Sequence, residues 1–434
     1  MTRTIVLFAA AASLMMSMPC LAQSEPDLAD ENAQLRQRVD NLERQMEQLK
    51  ATVGSTQAES AAGEQSPKPE EDKKPLWSSL DIQLYGYIKA DAAWDSSRVT
   101  AGNYVLFVDP GGEDDEEFNL TARQTRLGLK IKGPDVGSAK TSGLVEGDFY
   151  GAGGTENKAN FRMRHAYMVL DWPEADLSLL AGQTWDVIAP LWPDTLNFTI
   201  LWDAGNIGYR HPQIRVTKGI ALSDGIDLKL AGAISRTISD AEETAGQGRP
   251  GENAGFPTLQ GRAGLTFPWF GISPTTIGLS AHYGEEEYPG HSDVESWSVN
   301  LDVLQPVNGW LSVKGEAFIG ENLDDYFGGI GQGVDSPAPT TFRAIGSRGG
   351  WAQATMKPCK DWRFNAGFGI DDVDNSDLAG AQNRARNRAV FTNAIYAINK
   401  QTDVGLELSH WQTDYRYGDD EDDVRIQGSL IYKF

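Results

Sequence analysis

Cationic side chains recur at alternate positions in several stretches of this chain. In "RQTRLGLKIK", Arg126, Lys130 and Lys132 fall on one face of an extended backbone, and Leu127, Leu129 and Ile131 on the other. Gln213 and Arg215 stand opposite Ile214 and Val216 in the same way, and Lys229 and Arg262 also occupy polar faces. A guanidinium fork takes a carboxylate bidentately, and rings of Arg and Lys around a wet passage favour anions. The polar faces carry acids as well, among them Glu146, Asp148, Glu316 and Glu407. Mutual ion pairing would leave a nearly neutral, unselective wall, which is the alternative to anion preference. Either arrangement needs water, because a lipid-facing cation at mid-bilayer costs ~2–4 kcal/mol in a barrel. One stretch resists assignment. Arg162 and Arg164 share a face with Ala166, Met168 and Leu170, while Phe161, Met163, His165 and Tyr167 share the other. Contact between protomers would explain two partly apolar faces. Arg123 falls on the apparent outer face of its strand, a place for a bulge or an interface.

Other chemistries find little support. The five histidines are scattered without paired-ligand spacing, so no metal or cofactor is expected. "DDVDNSD" at Asp371 has Asp377 where a calcium loop needs glycine, and no glutamate closes it. "GGIGQG" at Gly328 lacks the strand and helix that flank a nucleotide loop. No G-x-S-x-G occurs; a hydrolase would have to pair His165 or His282 with a wall serine. A net charge of −23 argues against nucleic acid as a partner. The acidic clusters "EDDEEF" at Glu113 and "DDEDD" at Asp419 read as solvated loops, with divalent bridging to lipopolysaccharide as the rival.

The elements that must position these groups have an unusual period. "LDIQLYGYIKADAAWD" alternates over its whole length, longer than the ~5–6 residues of an ordinary strand and sufficient for the ~9–11 of a tilted membrane-spanning one. Similar runs lie near 118–132, 141–150, 161–172, 176–185, 209–218, 225–235, 258–268, 275–285, 294–304, 309–319, 349–357, 361–371, 386–399, 402–413 and 423–434. With the first they predict sixteen antiparallel strands. The connections alternate long and short, the long ones near 95–117, 151–160, 186–208, 236–257, 286–293, 320–348, 372–385 and 414–422. That rhythm predicts an all-β, transmembrane, up-and-down barrel with tight turns at one end and loops at the other. The closing "VRIQGSLIYKF" fits: the last strand must complete the ladder with the first, and Tyr432 and Phe434 suit a membrane interface.

The segment before the barrel divides in three. Residues 1–22 read as a cleaved export signal, with Arg3, the apolar "IVLFAAAASLMM" and Ala22 as the last residue removed. Residues 23–53 carry heptads, with Leu28, Leu35, Leu42 and Leu49 alternating with Asn32, Val39, Met46 and Val53 along one seam. They predict a periplasmic α-helical coiled coil; an amphipathic helix lying on its own domain is the alternative. Residues 54–79 lack periodicity and read as a flexible linker to a barrel spanning 80–434. No stretch approaches the ~20 apolar residues of a membrane-spanning helix.

The connection after residue 185 is too apolar for an exposed loop. It carries Trp185, Trp192, Phe198 and Trp202 with Asp186 and Asp194, and is expected to fold inward and constrict the passage. Packing between protomers is the other use for such rings. Several segments resemble the DcaP-like trimeric porins of Gram-negative outer membranes: "ARQTRLGLKIKG", "FRMRHAYMVLDW", "GQTWD", "HPQIRVTKG", "GGWAQATMKP" and "FNAGFGIDD". The resemblance implies a 16-stranded barrel, a homotrimer in outer-membrane lipid and lipopolysaccharide, and passive diffusion of small anionic solutes such as dicarboxylates. It carries a basic channel lining onto Arg126 and Arg164. The acidic loops depart from that pattern at the outer mouth. A structural tether with a plugged barrel is the competing function.

Overall fold

The computed structural model describes residues 80–111, 115–236, 250–269, 273–288, 292–338, 341–378 and 383–434. The expected export signal, heptad seam and linker lie outside them. The first strands are β1 (Asp81–Asp95), β2 (Glu117–Thr121), β3 (Arg126–Lys132), β4 (Lys140–Thr155), β5 (Lys158–Trp172), β6 (Leu177–Trp185), β7 (Arg210–Ser223), β8 (Ile226–Ser235) and β9 (Thr258–Phe267). There follow β10 (Thr275–Tyr288), β11 (Ser292–Pro306), β12 (Leu311–Glu321), β13 (Val334–Ala338), β14 (Thr341–Ala344), β15 (Gly346–Met356), β16 (Trp362–Val373), β17 (Arg384–Ala397), β18 (Thr402–Tyr415) and β19 (Glu421–Lys433). Strands β13 and β14 form a hairpin of their own, and the other seventeen make one sheet. Both β2 and β3 pair with β1, so they are halves of one pass and the sheet has sixteen passes. It closes where β19 meets β1, from Tyr87 opposite Lys433 to Asp95 opposite Arg425. Closure satisfies every edge, as hydrocarbon demands.

Alternation sorts the wall as expected. Ile82, Leu84, Leu127, Leu129, Ile214, Val216, Leu279, Val390 and Leu430 project outward and are exposed. Lys89, Asp91, Glu146, Asp148, Gln213, Gln353, Glu407 and Arg425 point inward and are buried. Tyr432 and Phe434 stand on the outer face at the turn end with Trp269 and Trp310, an aromatic girdle. Several bulges break the phase, two of them beside the cationic wall. Tyr87 lies opposite Arg126 and Asp91 opposite Thr121, so the four residues 122–125, Arg123 among them, stand against the three residues 88–90. In the β4–β5 pair, Glu146 faces His165 and Gly147 faces Met163, which leaves Arg164 as the inserted residue. The mixed faces of β5 therefore arise from a bulge within the strand.

Two connections expected to be long are strand instead. Only residues 156–157 separate β4 from β5, and 289–291 separate β10 from β11. The long loops after β1, β6 and β12 fold into the barrel, and the apolar core sits there, between loop and wall. Val99, Val105, Val108, Leu201 and Ala204 pack on Trp351, Ala389, Phe391 and Trp411, while Ile188 and Ile207 pack on Phe318, Leu323 and Tyr326. Loop and wall approach to backbone contact. A Cβ on Gly205 would meet the Gly350 carbonyl oxygen at 2.2 Å, and one on Gly369 would meet that of Ala204 at 2.1 Å. Ile200, Leu201 and Asp203 hold positive φ angles of 49°, 60° and 58°, which the surrounding packing must enforce.

Candidate functional site in the barrel lumen

The inserted loop, residues 186–209, leaves β6 and crosses the lumen, tied to the far wall by its backbone. Its N–H groups at Val187, Leu191, Asp194 and Leu196 donate to Gln260, Glu316, Gln353 and Glu407 at 2.7, 2.7, 2.6 and 2.6 Å. Its carbonyls at Trp192, Asp194 and Leu196 accept from Lys314, Asn393 and Lys89 at 2.8, 2.7 and 2.7 Å. A loop cannot pair its own backbone groups in a tight lumen, so inward polar residues of β9, β12, β15, β17, β18 and β1 do so. Glu316 and Glu407, expected as partners of wall cations, hold loop N–H groups.

Two loop aspartates anchor this strap, Asp186 where its two ends meet and Asp194 partway along it. Asp186 is buried, accepts from Gln260 Nε2 and the Tyr209 N–H at 2.9 Å each, and lies 2.9 Å from His211 Nδ1. Burial alone would raise its pKa, but His211 and these donors hold it below the usual aspartate range. Asp194, ion-paired to Lys314 at 2.8 Å, is likewise held down against its burial. Trp192 stacks on Trp185 with centroids 5.5 Å apart, and Trp202 stacks on Phe327 at 4.2 Å. Sequence reasoning anticipated the inward loop but not Phe327, which comes from the loop after β12.

On the wall facing this loop, β3, β4, β5 and β7 gather most of the expected cations. Arg164 donates to Glu146 at 2.8 Å and to Asp148 at 3.1 Å. Arg162 takes Asp148 bidentately at 3.1 and 2.8 Å. Arg126 lies 3.4 Å from Glu146 and 5.1 Å from the Tyr87 ring centroid. Arg215 donates to Gln213 at 2.9 Å and to the Trp185 carbonyl. The bulge in β5 is what lets Arg164 join Arg162 and His165 on the inner side. Three expected residues stand apart. Arg262 is neutralised by Asp302 in a bidentate pair at 2.9 and 2.6 Å. Lys130 covers Tyr85 at 4.8 Å and Lys229 is exposed, both toward the turn end.

Sequence reasoning missed Arg210, at the junction of loop and β7. It is 1% exposed, 4.5 Å from both the Trp185 and Tyr209 ring centroids, and its three guanidinium nitrogens find no hydrogen-bond partner among the described residues. Cation–π contacts return about 0.5–2 kcal/mol each, and Arg210 has them in place of a bonded carboxylate. The motif "GYRHP" carries no alternation that would have flagged it. Of the two histidines considered for hydrolysis, only His282 meets wall serines. His165 Nδ1 meets Thr184 Oγ1 at 3.0 Å, and His282 has a serine on each ring nitrogen, Ser298 at 2.7 Å and Ser296 at 3.1 Å. His282 thus has no nitrogen left for an orienting carboxylate.

Comparison with known proteins agrees with this architecture. Residues 18–205 match the DcaP outer membrane protein family. No curated protein matches the chain in sequence. Among solved structures, the outer membrane channel DcaP of Acinetobacter baumannii is similar at 20% identity and TM-score 0.68, over 82% of this chain and 98% of that one. An anion-selective porin from Comamonas acidovorans is similar at 13% identity and TM-score 0.52, over 82% of this chain and 100% of that one. OprB of Pseudomonas putida follows at 10% and 0.53, over 83% and 95%. The likeness read from the motifs before residue 205 therefore agrees with a family match, and the chain is a sixteen-pass barrel of the porin fold that carries the DcaP outer membrane protein signature over residues 18–205.

Proposed function

We propose that the chain is an outer-membrane porin that admits small hydrophilic solutes passively and prefers anions such as dicarboxylates. One observation carries this reading. Arg126, Arg162, Arg164, Arg210 and Arg215 share a stretch of inner wall with the carboxylates Glu146 and Asp148, so positive charge is in excess beside the inserted loop. Field lines concentrate in a narrow low-dielectric lumen, so a small excess there outweighs a larger acidic charge on the solvated loops. On this reading the loops are extracellular, the turns periplasmic, and residues 23–53 form a periplasmic coiled coil that helps a homotrimer assemble.

The test is ion selectivity. Purified protein folded in detergent and inserted into a planar bilayer should give conductance steps, and a reversal potential of anion-selective sign in a potassium chloride gradient. The triple variant R126Q/R164Q/R215Q should move that potential toward zero or beyond; an unchanged potential would refute anion preference. The apolar packing of three loops inside the barrel favours a second reading, a plugged structural tether. A barrel that inserts and gives no conductance steps would decide for it.

A further inference from the structure

A groove of about 480 Å³ lies on the outside of the barrel, between β11 and β17 at the loop end. Its floor is recessed at Gly320 and Gly346, and Trp297 and Ile319 line it. Arg348 and Arg386 close it on the other side. These residues belong to one cross-strand row: Ile319 lies opposite Arg348, Arg348 opposite Asp372, Asp372 opposite Arg386, and Arg386 opposite Asp414. The row sits where the apolar belt ends, since Phe368, Val390 and Leu408 project from the same face nearer the turn end and are exposed. Charges have no place in hydrocarbon, so the row lies at headgroup level.

The arginines are not consumed by their partners. Arg348 and Arg386 share the carboxylate of Asp372, at 3.0 and 2.8 Å, Arg386 also lies 3.9 Å from Asp414, and their side chains stay 73% and 43% exposed. Glu321 and Asp374 stand at the rim and add acceptors. The groove therefore offers three chemistries within one molecule's reach: cationic forks for phosphate, carboxylates for hydroxyl donors, and an apolar floor for acyl chains. A free phosphate has no use for Trp297 and Ile319, and a neutral lipid has none for the arginines.

We propose that this groove is a specific binding site for a phosphorylated glycolipid of the outer leaflet, its phosphate on Arg348 and Arg386, its sugar hydroxyls on the rim carboxylates, and an acyl chain on Ile319 and Trp297. The inference rests on the outer-membrane reading and not on solute selectivity. The test uses the full chain in detergent and native mass spectrometry. Hexa-acylated diglucosamine bisphosphate should remain bound to wild type, while the same lipid without phosphates should bind about tenfold or more weakly, and R348S/R386S should lose binding to a similar degree. Conductance should not change in that variant, whose substitutions lie outside the lumen. Equal binding of both lipids to wild type overturns the proposal even if the variant fails to fold. Inorganic phosphate that displaces the lipid at similar concentration overturns it in favour of a plain anion patch. A changed oligomeric state with unchanged lipid binding overturns it in favour of contact between copies. Loss of lipid binding with conductance steps intact separates this proposal from the porin reading.

Discussion

At the scale of single residues, the lumen turns on how two carboxylates are shared. Glu146 and Asp148 serve Arg126, Arg162 and Arg164, so each guanidinium is only partly neutralised. Removing an acid and removing a base must therefore act oppositely. E146Q should make the reversal potential more anion-selective, and R164Q less so, in the same salt gradient. Removal of one member of a buried pair typically costs about 3–5 kcal/mol. Because Arg126 and Arg162 remain beside the acids, R164Q should fall toward the low end of that range, seen as a modest drop in unfolding temperature. Arg210 differs. Its ring contacts depend on shape as well as charge and it has no bonded acid, so R210M should keep or raise thermal stability while lowering anion preference. Much of this site was legible. Alternation assigned Arg126 and Arg215 to the inner face, because both lie in unbroken pleats. It could not assign Arg164, because a one-residue bulge reverses inside and outside midway along β5 and leaves no mark in the hydrophobic pattern. Arg210 was illegible because its surroundings come from loop residues far along the chain.

At the scale of elements, the inserted loop is held by polar groups that also titrate. Glu407 alone accepts two loop N–H groups, from Leu196 at 2.6 Å and Asn197 at 3.0 Å. Hydrogen bonds contribute about 0.5–1.5 kcal/mol each. E407A should loosen this end of the loop, with larger and noisier conductance steps, while E407Q, which keeps one carbonyl acceptor, should lie between it and wild type. Acid should act on the two anchors. The pKa values of Asp186 and Asp194 are depressed in the folded state. Their contribution is therefore in place above the unfolded aspartate value of about 3.9 and is lost as pH falls through the lower folded values. The share of loop-dependent conductance noise that these two anchors control should rise only below about pH 4, and D186N/D194N should remove that part of the rise; a double variant with an unchanged acid profile would point to another group. The inward fold of this loop was readable from its tryptophans, since such rings do not stay in water. The extent of β4, β5, β10 and β11 was not. Their outer ends carry Gly151, Gly153, Glu285 and Glu287, residues that favour turns or solvent, yet cross-strand pairing continues through or close beside them.

At the scale of the whole molecule, the ends of the barrel chain must find each other across the full length of the sheet. Sixteen passes and their order followed from period and loop parity because a membrane leaves so few alternatives. What sequence could not show is how the seam is locked. Arg425 donates to both oxygens of Asp95 at 2.9 and 3.0 Å and to the Asn103 carbonyl at 3.0 Å, with both side chains almost wholly buried. One hydrogen-bonded fork thus joins β19, β1 and the first inserted loop. Nearby, Ser96 and Ser97 donate backbone N–H groups to Asp423 at 2.9 and 3.1 Å, a second tie across the same seam. Neighbouring passes elsewhere are consecutive in the chain, and every second pair is joined by a short turn that holds its register, but β1 and β19 are joined by no connection at all. Side chains must do at the seam what turn geometry does between the hairpin partners of the barrel. D95N should therefore cost more than removal of a bidentate lumen pair among consecutive strands. The comparison is R262Q, whose pair with Asp302 joins β9 to β11 across β10. Heat-dependent migration of folded barrels on gels should show D95N unfolding at a clearly lower temperature than R262Q. If the two variants melt together, the seam owes its register to the strands alone.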